Sequence, residues 1–268
     1  MDKISHFMSK LMNLDNERIH LCWLGQMGLV VKAEGKLLCF DPFISEHRNR
    51  LYPSPITATD LGYMDYVFGT HDHTDHIDRK AWKIAAAESS HAKFVVPRVK
   101  REQLSEELDI PMERLIGIDD QKEVKLEGMS ILGIASAHEF LDYDEEKQGY
   151  PYMGYFVKIG RHTLYHSGDT CIYKGLQDKL ERCGHINFMM LPINGRDAKR
   201  YMNNTIGNMT YQEAVDLAGA IKPDYVIPGH FDMFEKNSEN PFLFLDYLKI
   251  KYKTQNALLF THGEIISF

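Results

Sequence analysis

Short apolar runs bounded by glycine, proline or polar turn residues recur along most of the chain. Runs of about four to eight residues that are rich in β-branched and aromatic side chains are typical of β-strands. The first three runs are close together and are separated by glycine, so they predict an antiparallel meander. The runs in this N-terminal part cover 19–24, 29–33, 36–40 and 64–69.

The rest of the chain alternates between such runs and segments whose apolar residues recur at helical spacing. Thr210 and Glu213 form a capping box, which predicts the start of one helix. The predicted helices cover 2–17, 79–88, 98–108, 175–182, 210–220 and 241–252. The further predicted strands cover 94–97, 115–118, 123–126, 129–134, 154–159, 163–166, 187–191, 224–228 and 257–260. No linker or low-complexity tract interrupts this order, so we expect one α/β domain over residues 1–268.

Histidine, aspartate or asparagine stands just beyond the end of several predicted strands. A rigid sheet positions the loops that it feeds, so residues of a functional site gather at strand ends. Unrelated surface residues would instead be scattered with respect to the strands. We therefore expect a shared site at the rim of the sheet. The residues in question are His71, His138, Asp169, Asn194 and His230.

The densest group of such residues is the segment 70–78, which follows the apolar run at 64–69. Neutral imidazole nitrogen and carboxylate oxygen are ligands for borderline-soft divalent metals. Alternate residues of an extended chain share a face, so His71 and His73 can point to one side. Asp75 and His76 lie just past the bend and can face a second position, a geometry that suits two metal ions. The alternative is a solvated histidine-rich loop, which would not need this ordering.

Composition narrows the class of partner. Of the 268 residues, 44% are hydrophobic and 26% are charged, as in globular proteins, and the net charge is −7. This acidic balance argues against nucleic-acid binding and against adhesion to anionic membranes. The N-terminal residues lack the features of a signal peptide, and no apolar run approaches the length of a membrane span. We therefore expect a cytoplasmic protein with neither type of partner.

The order of four motifs resembles the metallo-β-lactamase fold superfamily. The motifs are His-x-His-x-Asp-His at 71–76, a histidine after a strand at His138, a Ser-Gly-Asp turn at 167–169 and a Gly-His pair at 229–230. The resemblance covers most of the chain. It implies a four-layer αββα sandwich of two mixed β-sheets, with metals at one edge of the packed sheets.

Within the superfamily, segments 70–78, 164–169 and 226–230 most resemble the L-ascorbate-6-phosphate lactonase branch. Members of that branch are cytoplasmic hydrolases of bacterial sugar-acid catabolism and are typically manganese-dependent. The resemblance implies that the substrate is a small phosphorylated sugar-acid lactone and that one or two Mn²⁺ or Zn²⁺ ions are bound. The chain is shorter than those lactonases, and its segment 194–209 departs from theirs.

The superfamily motifs also imply a role for each site residue. A first metal would have three histidine ligands, a second would have two histidines and an aspartate, and another aspartate would bridge them. The two carboxylates, Asp75 and Asp169, would be catalytic. A metal-bound hydroxide would attack the ester carbonyl, because divalent cations depress the pKa of bound water. The implied ligand sets are His71, His73 and His138 for the first metal, Asp75, His76 and His230 for the second, and Asp169 as the bridge.

Two neighbouring residues have two interpretations each. Asp41 ends a strand, so it is either an acceptor that orients a ligand imidazole or a turn aspartate. His166 lies three residues before Asp169 and is either a similar support for the site or a buried, hydrogen-bonded core histidine.

A basic and polar cluster follows the predicted strand at 187–191. Arginine side chains suit phosphate or carboxylate, so this cluster is a candidate site for the anionic part of a substrate. The alternative is a solvated loop with local salt bridges. Tyr143, Tyr150 and Tyr152 are further candidates, for the pocket wall. The predicted substrate-binding residues are Asn194, Arg196 and Arg200, with Lys199, Asn203 and Asn204 nearby.

Two other functions remain as alternatives to a lactonase. A phosphodiesterase or RNA-processing nuclease could use the same dinuclear site, although the net charge of −7 weighs against nucleic acid. A non-catalytic metal-binding protein is the third possibility. In each case we expect a homo-oligomer, and for the hydrolase a small anionic substrate.

Overall fold

Fourteen strands in two sheets form the centre of the protein. The structure, a computed structural model, describes residues 5–268. Within them, the strands fall into two sheets of seven. In chain order they are β1 (His20–Gly25), β2 (Gly28–Ala33), β3 (Lys36–Phe40), β4 (Tyr66–Phe68), β5 (Lys93–Pro97), β6 (Leu115–Ile118), β7 (Glu123–Leu126), β8 (Met129–Ala135), β9 (Met153–Ile159), β10 (His162–His166), β11 (Phe188–Pro192), β12 (Tyr225–Gly229), β13 (Asn256–Ala257) and β14 (Ile265–Ser267).

The two sheets have matching mixed topologies. The first has the order β14-β1-β2-β3-β4-β5-β6, with antiparallel pairing as far as β3 and parallel pairing beyond it. The second has the order β13-β12-β11-β10-β9-β8-β7, with antiparallel pairing from β7 to β10 and parallel pairing from β10 to β13. Strands β1, β3 and β4 therefore share one direction, and so do β8, β10, β11 and β12.

Helices cover the outer faces of both sheets. Helices α1, α2 and α3 pack on the first sheet, and α4, α6 and α7 lie on the second. This arrangement confirms the predicted αββα sandwich of two mixed sheets. Within residues 5–268, every helix is too short or too polar to cross a bilayer. The helices are α1 (His6–Met12), α2 (Arg79–Glu88), α3 (Arg101–Leu108), α4 (Leu176–Arg182), α5 (Ala198–Met202), α6 (Tyr211–Ile221) and α7 (Pro241–Lys251).

The alternation of side chains along β1 shows how one strand serves two cores. Leu21 and Trp23 pack into the core between the sheets, whereas Cys22 and Leu24 pack against the helices outside the first sheet. Successive side chains of a strand point to opposite faces, so both faces of β1 are buried. This double burial explains why the strand appears in the sequence as a continuous apolar run rather than as an alternating one.

The C-terminal strands differ from the prediction. The run expected to form a strand at 257–260 overlaps the observed strand β13, Asn256–Ala257, only at Ala257, and β13 pairs with β12. The last strand, Ile265–Ser267, was not predicted. It pairs with β1 from the other end of the chain, for example Ile266 with Leu21. Such a short run is fixed by its distant partner rather than by its own pattern.

Three predicted segments also have different boundaries. The helix expected at 2–17 extends only over His6–Met12, where Ser5 caps its first turn, and residues 1–4 lie outside the described part. The helix expected at 98–108 begins as a 3-10 turn and becomes α-helical at Arg101. The segment 194–209, for which neither a helix nor a strand is predicted, contains the short helix α5.

The strand directions determine where the site lies. In the first sheet, β1, β3 and β4 all end at one rim. Strands β8, β10, β11 and β12 of the second sheet end at a common rim too, and hydrogen bonds between the two sets of loops show that these rims adjoin. One runs from the Met153 nitrogen to the Thr70 oxygen at 3.0 Å and another from the His230 nitrogen to the Gln26 oxygen at 2.8 Å.

Candidate metal centre

The turn after β4 is shaped by close packing and local hydrogen bonds. A side chain at Gly69 would lie 2.4 Å from Ile77, so only glycine allows the turn to fold back on itself here. The backbone nitrogen of Ile77 donates to the oxygen of His73 at 2.8 Å. Asp78 then accepts from the Ala81 nitrogen and caps α2. The four predicted ligands of this segment are therefore held on one compact turn.

Three histidines form the first group of possible ligands. His71 and His73 come from the turn after β4, and His138 comes from the segment after β8. The Nε2 atom of His71 lies 2.9 Å from Nδ1 of His73. One ring nitrogen from each of the three histidines lies within 4.8 Å of the others. The structure therefore brings together the three histidines predicted for one metal.

Asp75, His76 and His230 form the second group. Oδ2 of Asp75 lies 3.7 Å from Nε2 of His76 and 3.9 Å from Nε2 of His230. His230 follows β12, so this group joins the two sheets. These separations are suitable for side chains that surround a common cation.

Asp169 lies between the two groups. Its Oδ2 atom is 3.1 Å from Nε2 of His230 and 3.4 Å from Nε2 of His76, both in the second group. The same oxygen is 3.8 Å from Nε2 of His138, in the first. All seven predicted ligands thus converge, and Asp169 holds the position expected of a bridge.

The residues fit a divalent cation. Nε2 of His76 and Oδ1 of Asp169 are buried, and neither has a hydrogen-bond partner within residues 5–268. Buried polar atoms are seldom left unpaired, so atoms of this kind that face a common centre point to a missing partner. Five imidazoles and two carboxylates match the preferences of Zn²⁺ and Mn²⁺.

Burial favours the neutral form of the first group. It lowers the pKa of His71 well below the usual value, and neighbouring His76 adds to the effect. The pKa values of His73 and His138 are also lowered, chiefly by burial. Metal-binding histidines must be neutral, so these three need no deprotonation near neutral pH.

Neighbouring carboxylates shift the pKa values of the second group's histidines in the opposite direction. Burial on its own lowers the pKa of His76, but Asp169, Asp41 and Asp75 together raise it well above the usual value. For His230, too, burial is outweighed by Asp169, so its pKa is raised. Burial raises the pKa of Asp169, but His230 and His76 hold it well below its usual range. The neighbouring carboxylates therefore favour the protonated form of these two imidazoles.

Asp41 supports His76 from behind. Its Oδ2 lies 2.6 Å from Nδ1 of His76, and its carboxylate also accepts from the nitrogen of Thr70 at 2.8 Å and from Oγ1 of Thr70 at 2.7 Å. A proton on Nδ1 of His76 leaves the Nε2 lone pair directed at the centre. Asp41 thus lies where an acceptor for a ligand imidazole is needed.

His166 has a different environment. Its Nε2 lies 2.7 Å from the oxygen of Met27, and its Nδ1 accepts from the nitrogen of Gly168 at 3.3 Å. Its ring stacks on Phe40, and none of its hydrogen bonds reaches the seven predicted ligands. The interpretation as a buried, hydrogen-bonded histidine matches this geometry. Through Gly168, it holds the turn that carries Asp169.

Asn194, Arg196 and Arg200 do not line the cavity beside the centre, although Asn203 of the same predicted cluster does. Arg196 forms a bidentate pair with Glu213, with both N–O distances 2.6 Å. Arg200 pairs with Asp197 and donates to the oxygen of Ser238. Asn194 is buried and donates to Asn237 at 2.8 Å. The alternative of local salt bridges describes the two arginines better, because carboxylates of the chain already satisfy them.

A cavity of about 880 Å³ opens beside the histidine turn. His73 and Asp75 line one side of it, and residues 47–51 and 234–237 line another. The long connection between β3 and β4 therefore supplies part of the wall. Two exposed basic side chains, Arg48 and Lys236, also line the cavity, and within residues 5–268 neither belongs to an ion pair.

Sequence reasoning missed one residue of the centre and gave little weight to another. Gln26 donates through Nε2 to Oδ2 of Asp75 at 3.0 Å. The ring of Tyr152 lies 5.3 Å from that of His71 and 5.5 Å from that of His138. Gln26 directly follows β1 and Tyr152 directly precedes β9, so the rule that site residues gather at strand ends applies to both.

Two packed mixed sheets with a histidine–aspartate centre at their shared rim define the metallo-β-lactamase fold class. A family model described as the β-lactamase superfamily domain matches residues 37–231. The chain therefore belongs to the metallo-β-lactamase superfamily, as its motifs predicted.

Relatives and solved structures agree with this assignment. The chain is 27% identical over 226 residues to a UPF0173 metal-dependent hydrolase of Caldivirga maquilingensis, covering 83% of this chain and 86% of that protein. It is 25% identical over 260 residues to a protein of the same name from Methanosarcina mazei, covering 92% and 98%. A solved metallo hydrolase from Ignicoccus hospitalis has the same fold, with a TM-score of 0.73, 21% identity and coverage of 94% and 98%.

Proposed function

We propose that the protein is a metal-dependent hydrolase that opens a small phosphorylated sugar-acid lactone. The observation that carries the proposal is the convergence of seven histidine and aspartate side chains into two adjoining groups beside a cavity. The relatives are named metal-dependent hydrolases, which supports the reaction class. The lactone substrate rests on the resemblance of segments 70–78, 164–169 and 226–230 to the lactonase branch.

Each group would hold one cation. The three histidines of the first group supply neutral nitrogens, and the second group supplies two imidazoles and the Asp75 carboxylate. Bound divalent cations lower the pKa of water and polarise a carbonyl or phosphoryl oxygen. The Asp75 side chain is 23% exposed, against 4% for Asp169. Of the two predicted catalytic carboxylates, Asp75 is therefore the one that can exchange a proton in the cavity. Asp169 is buried between the two groups and orients both.

The cavity supports a small anionic substrate. Its volume of about 880 Å³ lies within the usual range for small-molecule sites. We assign the anionic part of the substrate to Arg48 and Lys236, because Arg196 and Arg200 are engaged elsewhere. A charged side chain that is already paired with a carboxylate would have to break that pair to bind a phosphate. Arg48 and Lys236 would not.

The test compares three substrates with one metal-loaded protein. A phosphorylated sugar-acid lactone, the same lactone without phosphate and bis-p-nitrophenyl phosphate would each be followed by initial rate. We expect the phosphorylated lactone to be opened fastest and Asp169→Asn to abolish the reaction. Hydrolysis of the phosphodiester alone would replace the lactonase with the phosphodiesterase alternative. Bound metal without any turnover would favour the non-catalytic alternative.

A further inference from the structure

We propose that Gln26 is a positioning residue whose side-chain amide holds Asp75 in place for the second cation. This inference rests on the proposed function only in requiring that the centre binds cations. It assigns Gln26 to the half of the centre formed by Asp75, His76 and His230.

The backbone conformation of Gln26 is unusual for its residue type. Gln26 lies in the tight turn between β1 and β2 and has a φ of +57°. The left-handed region costs a residue with a side chain about 1–2 kcal/mol, and glycine or asparagine occupies it more readily. A glutamine held there must be stabilised by contacts of its own.

The backbone of Gln26 is tied to the strand end that carries His230. Its carbonyl oxygen accepts from the nitrogen of His230 at 2.8 Å and from Nε1 of Trp23 at 3.1 Å. These bonds would form with any residue at this position. They fix the turn against the second sheet, and so they fix the point from which the side chain of residue 26 reaches the centre.

The side chain of Gln26 ends inside the second group. The residue is fully buried, its Nε2 donates to Oδ2 of Asp75 at 3.0 Å, and the same Nε2 lies 3.2 Å from Nε2 of His230. Its Oε1 is also buried and has no hydrogen-bond partner within residues 5–268. Burying an unpaired amide oxygen is unfavourable, and an apolar side chain would fill the same space without that cost. The amide therefore indicates a polar role at the centre.

The hydrogen bond from Gln26 acts on Asp75, the carboxylate ligand that burial restricts least. The Asp75 side chain is the more exposed of the two carboxylates and projects from a turn rather than from a strand. The bond from Gln26 selects the orientation in which Oδ2 faces His76 and His230. Gln26 has no hydrogen bond to the three histidines of the first group, so its removal should affect one cation position and leave the other unchanged.

The experiment measures Mn²⁺ binding by metal-stripped full-length protein in competition with a fluorescent chelator. The variant Gln26→Leu keeps the size of the side chain and removes the amide. The variant Gln26→Asn suits the left-handed backbone but is one methylene too short to reach Asp75. Met27→Leu, in the same turn, is the matched control, and thermal melting in the presence of chelator verifies that every variant is folded.

We expect the unaltered protein and Met27→Leu to bind two equivalents. In both Gln26 variants the second equivalent should bind about 10- to 100-fold more weakly, the usual effect of removing a residue that orients a ligand, and the first should be unchanged. Because Asn relieves the backbone strain, weak second-site binding by Gln26→Asn would separate the amide's role from that of the turn. Equal affinities in all four proteins would overturn the inference and leave the proposed function intact. The same titration of the unaltered protein is repeated with Zn²⁺, and failure to bind either ion would overturn both.

Discussion

Replacing Asp41 with asparagine should place the proton on the wrong nitrogen of His76. Asp41 accepts from Nδ1 of His76 at 2.6 Å, which leaves Nε2 free to face the second group. Asparagine at this position can still accept from the nitrogen of Thr70 through its oxygen, but its NH₂ group then faces His76. Nδ1 must become an acceptor, so the proton moves to Nε2, where a cation would bind.

The expected loss of metal affinity follows from the role of the Asp41–His76 hydrogen bond in orienting a ligand histidine. Removing the partner that orients a ligand histidine costs about 10- to 100-fold in metal affinity. At about 1.4 kcal/mol for each factor of ten, this corresponds to about 1.4–2.8 kcal/mol of binding free energy. The variant should also lower the free energy of unfolding by about 1–2 kcal/mol. The reason is that the buried hydrogen bond between His76 and the charged carboxylate of Asp41 is replaced by a weaker one between neutral groups.

The assay titrates metal-stripped protein with Mn²⁺ near neutral pH against a competing chelator. Asp78→Asn is the matched control. Asp78 is a buried carboxylate two residues beyond His76 that accepts from the nitrogens of Ile44 and Ser45 at 2.9 and 2.7 Å and touches no imidazole. We expect the control to melt earlier but to bind metal normally. If Asp41→Asn bound Mn²⁺ as well as the control does, the tautomer argument would be refuted.

Three further predictions concern the bridge, the arginine pair and the cavity. Asp169→Asn should weaken both cation positions, measured as metal content after dialysis, because this carboxylate reaches both groups. Arg196→Met should lower the melting temperature without changing KM, at a cost of about 1 kcal/mol for a partly exposed pair. Burial raises the pKa of Glu213, but its interactions, chiefly the hydrogen bonds from Arg196, together outweigh burial, so the pKa is lowered overall. The pair therefore stabilises the fold at pH values above the pKa of the carboxyl group in the unfolded chain. The effect of Arg196→Met on the melting temperature should fade as the pH falls below that value. Arg48→Ala and Lys236→Ala should raise KM for the phosphorylated lactone and leave kcat unchanged, and an unaltered KM would exclude this anion site.

The parts of the site that the sequence could predict share a physical feature. Ligand chemistry at strand ends can be recognised without knowing the partners, and His71, His138 and His230 all stand there. The basic cluster could not be assessed as an anion site in the same way. Whether Arg196 is free depends on Glu213, which lies 17 positions away and meets it only after α6 has packed. The basic residues Arg48 and Lys236 have no feature in the sequence that marks them as part of the cavity.

Gln26 shows a different limit. It satisfies the strand-end rule, but glutamine is a weak indicator of metal chemistry, and the Gly-Gln-Met-Gly segment is typical of a tight turn between two strands. Only the distance from its amide to Asp75 identifies its role. Residues that act through a ligand, rather than as one, are therefore the class that sequence patterns least predict.

The geometry of the centre depends on how the two sheets are joined at the rim. The first sheet supplies four ligands from one short turn, whereas the second supplies three ligands that are far apart in sequence. Besides the two backbone hydrogen bonds at the rim, two side-chain hydrogen bonds cross between the sheets: Tyr155 donates to the oxygen of Gly69 at 2.8 Å, and His166 donates to the oxygen of Met27 at 2.7 Å. Both acceptors adjoin turns of the first sheet that reach the centre. Asp169 is therefore held within about 4 Å of ligands from both groups by backbone oxygens and buried side chains of the chain itself. A rim built in this way is preorganised for cations, because the free energy of sheet packing, rather than that of metal binding, brings the ligands together.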